Sequence, residues 1–278
     1  MKRSLGRKQS IAILILCLVI LAAWAFSFAW KAYRTKPEPV AYLPEKSVRL
    51  IEGWTNEQVA VSLSETMGWA EPEVLAFLND PGADFRAQFS FLGEEDESLE
   101  GYLFPDTYRV YASSSLAEVT TKLLDNFDRK LSLEMRQEIA RQGRTIRDVV
   151  IMASIVEKEA PLQNSGGENR DARLIAGIFW DRLKYGQALQ SDATLSYVLK
   201  DNKPGHSGQE LEVSSPYNTY KYRGLPPGPI ANPGLEAIKA AVYPIYSEYN
   251  YFLTDSQRRV YYAETYAEHL RNKNLYLK

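Results

Sequence analysis

Apolar residues run without a single charge from Ile11 to Trp30, 20 positions with neither a helical nor a strand period. As a helix this run rises roughly 30 Å, the thickness of a bilayer's hydrocarbon core, and an apolar surface on every side suits lipid. It predicts a transmembrane helix, with Trp24 and Trp30 toward the far interface. A cleaved signal peptide is the competing reading, because Ala23, Trp24 and Ala25 resemble a small-x-small cleavage site. Against cleavage, the run continues for five more positions and no polar c-region follows.

Beyond the run the pattern shortens into ordinary elements. Lys36 to Pro39 reads as a short linker stiffened by prolines. Ser47 to Ile51 reads as a strand, Glu52 and Gly53 as a turn, and Thr55 to Gln58 as a capping box opening a helix to Glu65. A second helix spans Glu71 to Asn79 with Pro72 in its first turn. This strand-helix-helix module is set off by the acidic stretch 93–97 from a larger region beginning near Leu99. There the aromatic segment 100–111 predicts a strand broken by a turn at Pro105 and Asp106. Helices follow from Ser115 to Lys130, on through Arg141, from Thr145 to Ala160, from Asn169 to Tyr185, and from an Asp192 cap to Leu199. Polar loops are expected at 163–168 and 201–210, and a Gly/Pro-rich loop at 224–234. A helix from Gly234 to Val242, strands at 249–253 and 259–263, and a last helix from Tyr266 complete the chain. No repeat of 20 to 50 residues is visible, so a solenoid is not indicated.

Composition narrows the class. With 45% apolar and 24% charged residues the chain is too core-rich for disorder, and 33 Lys and Arg against 35 Asp and Glu argue against a nucleic-acid binder. Lys2, Arg3, Arg7 and Lys8 precede the apolar run, leaving 29 basic and 35 acidic residues after it. That basic tip predicts a cytoplasmic N-terminus and a body on the outer face, although Lys31, Arg34 and Lys36 make the bias modest. Cys17, the only cysteine, sits inside the run, and the two histidines, His206 and His269, are far apart. Zinc of the His/Cys type, a Cys-His pair and a Ser-His-acid triad are therefore disfavoured, and no metal or cofactor is expected. Chemistry is left mainly to carboxylates, amides, tyrosines and backbone.

The segment 146–160, IRDVVIMASIVEKEA, is apolar around nearly its whole circumference, the mark of a buried helix. At 100° per residue Glu157 falls beside Val150, Ala153 and Ala160, and Glu159 nearer Met152 and Ile155. A carboxyl among apolar neighbours holds its proton more tightly, as a general acid must. The other reading, that both glutamates sit where the helix emerges into water, stays open. Asp192 suits a plain N-cap as well as a site, and the loop 224–234, with four prolines and three glycines in eleven residues, suits a groove wall or a connector. Of 18 tyrosines, 13 lie between Tyr185 and Tyr276, which fits a wet groove able to stack on sugars and equally fits half-buried strands.

The blocks EGYLFPDTY (100–108), IMASIVEKEA (151–160), IFWDRLKYGQALQSDAT (178–194) and SPYNTYKYRGLPPGPIANPG (215–234) resemble, in order and wording, the endolytic murein transglycosylases of the YceG-like type. The likeness covers about 180 residues, from Leu99 onward. It implies a membrane-anchored lytic transglycosylase that cuts within nascent peptidoglycan strands, with Glu157 as catalytic acid and then base. It also implies groove roles for Gln190, Asp192, Tyr217 and Asn218, which orient Glu157 or bind sugar. The module at 47–79 resembles the family's LysM-like part, which implies glycan binding; longer members have room for a second copy that this chain lacks.

The expected fold class is α+β. The expected layout is a cytoplasmic tip (1–10), a transmembrane helix (11–30), a linker (31–46), a LysM-like module (47–97) and a mixed α/β catalytic domain (98–278). Expected partners are peptidoglycan strands, the membrane and peptidoglycan synthases, with no nucleic acid. Two rivals remain at this level: a hydrolase pairing Glu157 with Asp192 as second carboxylate, and a non-catalytic glycan-binding scaffold.

Overall fold

The computed structural model describes residues 6–34, 44–162, 169–201, 203 and 205–277. Two units separate, residues 1–43 and 44–278. In the first, one helix, α1 (Arg7–Arg34), carries the apolar run and exceeds it by a turn at each end, so the expected linker begins later than residue 31. The span Ile11–Arg34, 24 residues with an 18-residue window of mean hydropathy 2.8, is long and apolar enough to cross a membrane. The proline linker at 36–39 and the polar loop at 163–168 lie outside the described residues.

The second unit is a mixed α/β body. In chain order it holds β1 (Glu45–Arg49), α2 (Asn56–Met67), α3 (Glu71–Asn79), a one-turn α4 (Ala83–Arg86), β2 (Thr107–Tyr111), α5 (Leu116–Lys130), α6 (Leu133–Arg141), α7 (Ile146–Glu159), α8 (Arg170–Lys184), α9 (Asp192–Leu199), a 3₁₀ turn (Glu210–Glu212), α10 (Leu235–Val242), β3 (Tyr251–Thr254), β4 (Val260–Ala263) and α11 (Tyr266–Tyr276). α4 and the 3₁₀ turn carry no strong sequence signal and were not expected. β1 pairs antiparallel with β2, Val48 opposite Tyr108, so the strand of the N-terminal module hydrogen-bonds to a strand beyond residue 98. β3 and β4 form a separate hairpin.

Local signals explain most element starts. Gln58 accepts the Thr55 N–H at 3.0 Å to open α2, Glu118 accepts the Ser115 N–H at 2.7 Å to open α5, and Asp148 accepts the Thr145 N–H at 2.8 Å to open α7. α2 buries Val59, Leu63 and Met67, a stripe at four-residue spacing. α7 is the central element: every residue from Val149 to Val156 is buried, and α6, α8, α9 and α10 pack around it.

Two expectations change. The strand predicted over 100–111 is confined to Thr107–Tyr111, because residues 99–103 form a turn closed by the Tyr102 N–H on Leu99 O at 3.0 Å. The acidic stretch does more than separate: Asp96 is buried, accepts from the Tyr102 hydroxyl at 2.8 Å and the Gly93 N–H at 2.7 Å, and pairs with Arg147 of α7. These donors replace the water that burial takes from the Asp96 side chain.

Candidate active site

Three loops meet at the C-terminal end of α7: the turn at 52–54, the segment 99–104 and the Gly/Pro loop 224–234 that leads into α10. Asn232 joins them. Its carbonyl accepts from Gly53 N at 2.9 Å and its N–H donates to Trp54 O at 2.8 Å. Its Oδ1 accepts from the N–H groups of Gly101 and Leu103, both at 2.9 Å, and its Nδ2 donates to Trp54 O at 3.0 Å and to Glu100 Oε1 at 3.2 Å. A short amide with an acceptor and a donor end serves both loops at once, which neither aspartate nor leucine does. The same loop is pinned to α7 where Ile230 N–H donates to Ser154 Oγ at 3.0 Å and Arg147 donates to the Pro227 carbonyl. Gly101 permits the approach: its φ is +89°, and an added Cβ would lie 2.6 Å from Pro229 Cβ and 2.7 Å from Val150 Cγ1.

Glu157 stands in the last turn of α7, half-buried against this junction. Its Oε2 accepts the Gly234 N–H at 2.9 Å, and Gly53 lies so near that an added Cβ would sit 3.5 Å from Glu157 Cγ. Burial pushes the Glu157 carboxyl up to about 7; the Gly234 donor opposes this, the charge of Glu52 adds to it, and Lys158 opposes it again. Lys158 itself points outward and donates to Gly53 O at 3.2 Å. Of the two sequence readings of this helix end, the one with covered glutamates holds, because walls from other elements stand over it. A carboxyl with such a proton affinity can give a proton to a leaving oxygen and take one back near neutral pH.

Glu159 serves a different purpose. Its Oε1 accepts from Ser191 Oγ at 2.5 Å and from Ala193 N–H at 3.4 Å, so a side chain of α7 caps the start of α9. The cap position of α9 belongs to Ser191 and not, as expected, to Asp192. Ser191 has extended backbone (φ −92°, ψ 122°), whereas Asp192 is already helical and its Oδ1 accepts from the Tyr220 hydroxyl at 2.8 Å. Gln190 is exposed with φ +53°, its N–H held by Thr219 O at 3.1 Å. Tyr217 is half-buried, its ring 5.2 Å from that of Tyr197, with its hydroxyl packed over Gly228. Asn218 is fully buried and engaged within its own loop, donating to Leu211 O and Val213 O, both at 2.9 Å, and accepting from Tyr220 N–H at 3.1 Å. Asp192, Tyr220 and Glu159 thus form one electrostatic group, while Glu157 responds to Glu52 and Lys158.

Glu52, Glu100, Ser191 and Asn232 escaped sequence reasoning. Glu52 and Gly53 read only as a turn, and Glu100 only as the opening of an aromatic block. Glu100 is 4% exposed, accepts the Asn56 N–H at 2.9 Å as well as the Asn232 amide, and is pushed up by burial to about 8. Glu100 and Glu157 therefore hold protons in the folded chain at pH values where an unfolded glutamate, near 4.5, has lost them. Folding takes up protons between about pH 4.5 and 8, so stability falls as pH rises through that window. The melting temperature of the full chain is expected to decline from pH 5 to pH 8, and Glu100→Gln to flatten the upper part of the decline. An unchanged slope in that variant would exclude Glu100 as its source.

Among the described residues, the candidate cation-holding group is Asp201, His206 and Glu210, whose ligand atoms lie within 4.8 Å of one another. The Lys203 ammonium already pairs with both carboxylates there. A hollow of about 730 Å³ lined by Arg144, Trp180, Tyr185 and Tyr246, among others, includes none of the five expected site residues.

The model of the YceG-like family matches residues 29–275. A protein of Bacillus subtilis named endolytic murein transglycosylase is 31% identical over 239 residues, covering 83% of this chain and 65% of the relative. One of the same name from Streptococcus pneumoniae is 31% identical over 247 residues, covering 80% of this chain and 43% of the relative. The chain thus spans less than two thirds of the length of these relatives. The crystal structure of a putative YceG-like protein from Listeria monocytogenes superposes with a TM-score of 0.70 at 33% identity, covering 83% of this chain and 76% of that one. With a match extending over nearly the whole chain, this protein belongs to the YceG-like family.

Proposed function

We propose that this chain is a membrane-anchored endolytic lytic transglycosylase of peptidoglycan. The observation that carries the reading is Glu157: one carboxyl, held by one backbone donor, with its proton affinity raised by burial to near neutrality. The names of the relatives point to the same substrate class. Glu157 protonates the oxygen of the β-1,4 bond between N-acetylmuramic acid and N-acetylglucosamine, and the C1–O bond breaks. The resulting carboxylate then takes the proton of the muramic C6 hydroxyl, whose oxygen bonds to C1 and closes a 1,6-anhydro ring. No water enters, so the paired acid and base of a hydrolase are not needed. Asp192, engaged by Tyr220, fits groove support better than a second catalytic carboxylate.

Gln190, Asp192 and Tyr217 line the sugar groove, and Asn218 shapes the loop that carries Tyr217. Residues 47–97 form a LysM-like glycan-binding module and residues 98–278 the catalytic domain. The apolar helix anchors the chain with its N-terminus in the cytoplasm and the body on the outer side, within reach of peptidoglycan synthases. The test is mass spectrometry of glycan strands digested by the full chain in detergent. Internal cuts with 1,6-anhydro ends are expected; reducing ends would make the enzyme a hydrolase, and uncut strands a binding scaffold.

A further inference from the structure

The turn between β1 and α2 brings a second carboxyl to Glu157. Glu52 lies against the Cα of Gly234: an added Cβ there would fall 2.2 Å from Glu52 Oε1 and 2.5 Å from its Cδ. Gly234 is also the residue whose N–H donates to Glu157 Oε2 at 2.9 Å. On the other side Gly53, at φ +77°, lets the turn backbone pass next to Glu157 Cγ. Two positions without side chains therefore leave room for two carboxyl groups to converge on one backbone site. The turn is held there by the paired hydrogen bonds of Gly53 and Trp54 with Asn232 and by Lys158 on the Gly53 carbonyl. Glu52 is an exposed residue outside the cap of α2, which Thr55 and Gln58 build.

Resting on the reading of Glu157 as acid and base, we propose that Glu52 is a positioning residue of the same site, a second negative group whose place over Gly234 keeps Glu157 in its acid form until the glycosidic oxygen takes the proton. Like charges a short distance apart resist joint ionisation, so an ionised Glu52 delays the ionisation of Glu157. Among the described residues, the charged groups facing Glu157 are Glu52 from the turn and Lys158 from α7 itself; Glu52 is in turn raised by burial and by Glu236 of α10, which is paired with Lys239 at 2.9 Å. The N-terminal module thereby enters the chemistry directly, because it supplies the turn that carries Glu52.

The test is the pH dependence of anhydro-end release by the full chain in detergent, for wild type, Glu52→Gln and Glu52→Asp. In wild type the rate falls as pH rises through about 7, where Glu157 loses its proton. In Glu52→Gln the falling limb is expected to move to lower pH by about half a unit or more, so that the rate at pH 8 relative to pH 5.5 drops roughly threefold further. Glu52→Asp, which keeps the charge, is expected to restore part of the shift. A purely structural role would lower the rate at every pH and leave the limb in place; that result overturns the proposal. If Glu52→Gln is too slow to profile, infrared difference spectra against Glu52→Gln/Glu157→Gln titrate the Glu157 carboxyl directly, and an unshifted titration overturns it equally. Failure of the underlying reading looks different: wild type then releases no anhydro ends, or Glu157→Gln still does.

Discussion

Glu157→Gln is expected to lower the release of 1,6-anhydro ends by at least ~10³-fold while leaving the fold intact, because one carboxyl performs both proton transfers and general acid-base catalysis is worth about 10² to 10⁴. Glutamine has the same shape, and its oxygen can still accept the Gly234 N–H that Glu157 Oε2 accepts at 2.9 Å. It has no proton to give to a leaving sugar and no lone pair basic enough to take one from the C6 hydroxyl. The substitution also removes a carboxyl that burial makes unwilling to ionise, so the melting temperature at pH 7.5 should equal or exceed that of wild type. Anhydro-end release and thermal unfolding, measured on the same preparation, separate loss of chemistry from loss of structure. Cleavage surviving in a folded variant would move the acid role to another residue.

Asn232→Ala is expected to be the most damaging substitution for stability. It leaves the buried N–H groups of Gly101 and Leu103 without their acceptor and Glu100 without one of its two donors. Each buried group left unpaired costs about 1–3 kcal/mol, and because the three share one site their losses do not add in full. A total of about 3–5 kcal/mol is expected, a fall in apparent melting temperature of roughly 10 °C for a body of this size. Circular dichroism on the full chain in detergent measures it, and a melting temperature within about 2 °C of wild type would show that the three loops hold together without the amide. Asn232→Asp keeps the acceptor for the two N–H groups but faces Glu100 with a second acid. It should therefore unfold at a lower temperature than wild type, by a margin that widens with pH.

What is legible in the chain lies where the cause is local. The apolar run announces α1 by length and composition, and the capping box at Thr55 and the helix-opening Ser115 and Thr145 announce α2, α5 and α7 within one turn. The circumference of α7 marks it as buried, and the helical period alone sets Glu157 among apolar neighbours. Asp192 shows the limit. Serine and aspartate are both good N-caps and stand side by side, so composition could not choose between them. The choice fell to Glu159, which reaches across from α7 to take the Ser191 hydroxyl and the Ala193 N–H, and to Tyr220, which takes Asp192 away. Asn218, read as a groove residue, uses its amide to build a turn because Leu211 and Val213 fold back onto it.

By itself the sequence determined the membrane-length helix, most of the helices of the body, the family likeness and the identity of the glutamate on the buried helix, all of which depend on residues within a few positions or on contiguous blocks. Only the tertiary structure decided that Glu157 is covered, that Glu52 stands beside it and that Glu100 and Asn232 tie the loops beneath it. Asn232 meets Gly101 across 131 positions and Trp54 across 178, distances over which no periodicity or cap carries information. The proton affinity of a carboxyl depends on which walls exclude water from it and which charges face it, and at Glu157 the turn with Gly53 and the loop ending at Gly234 come into place only once the chain has closed on itself.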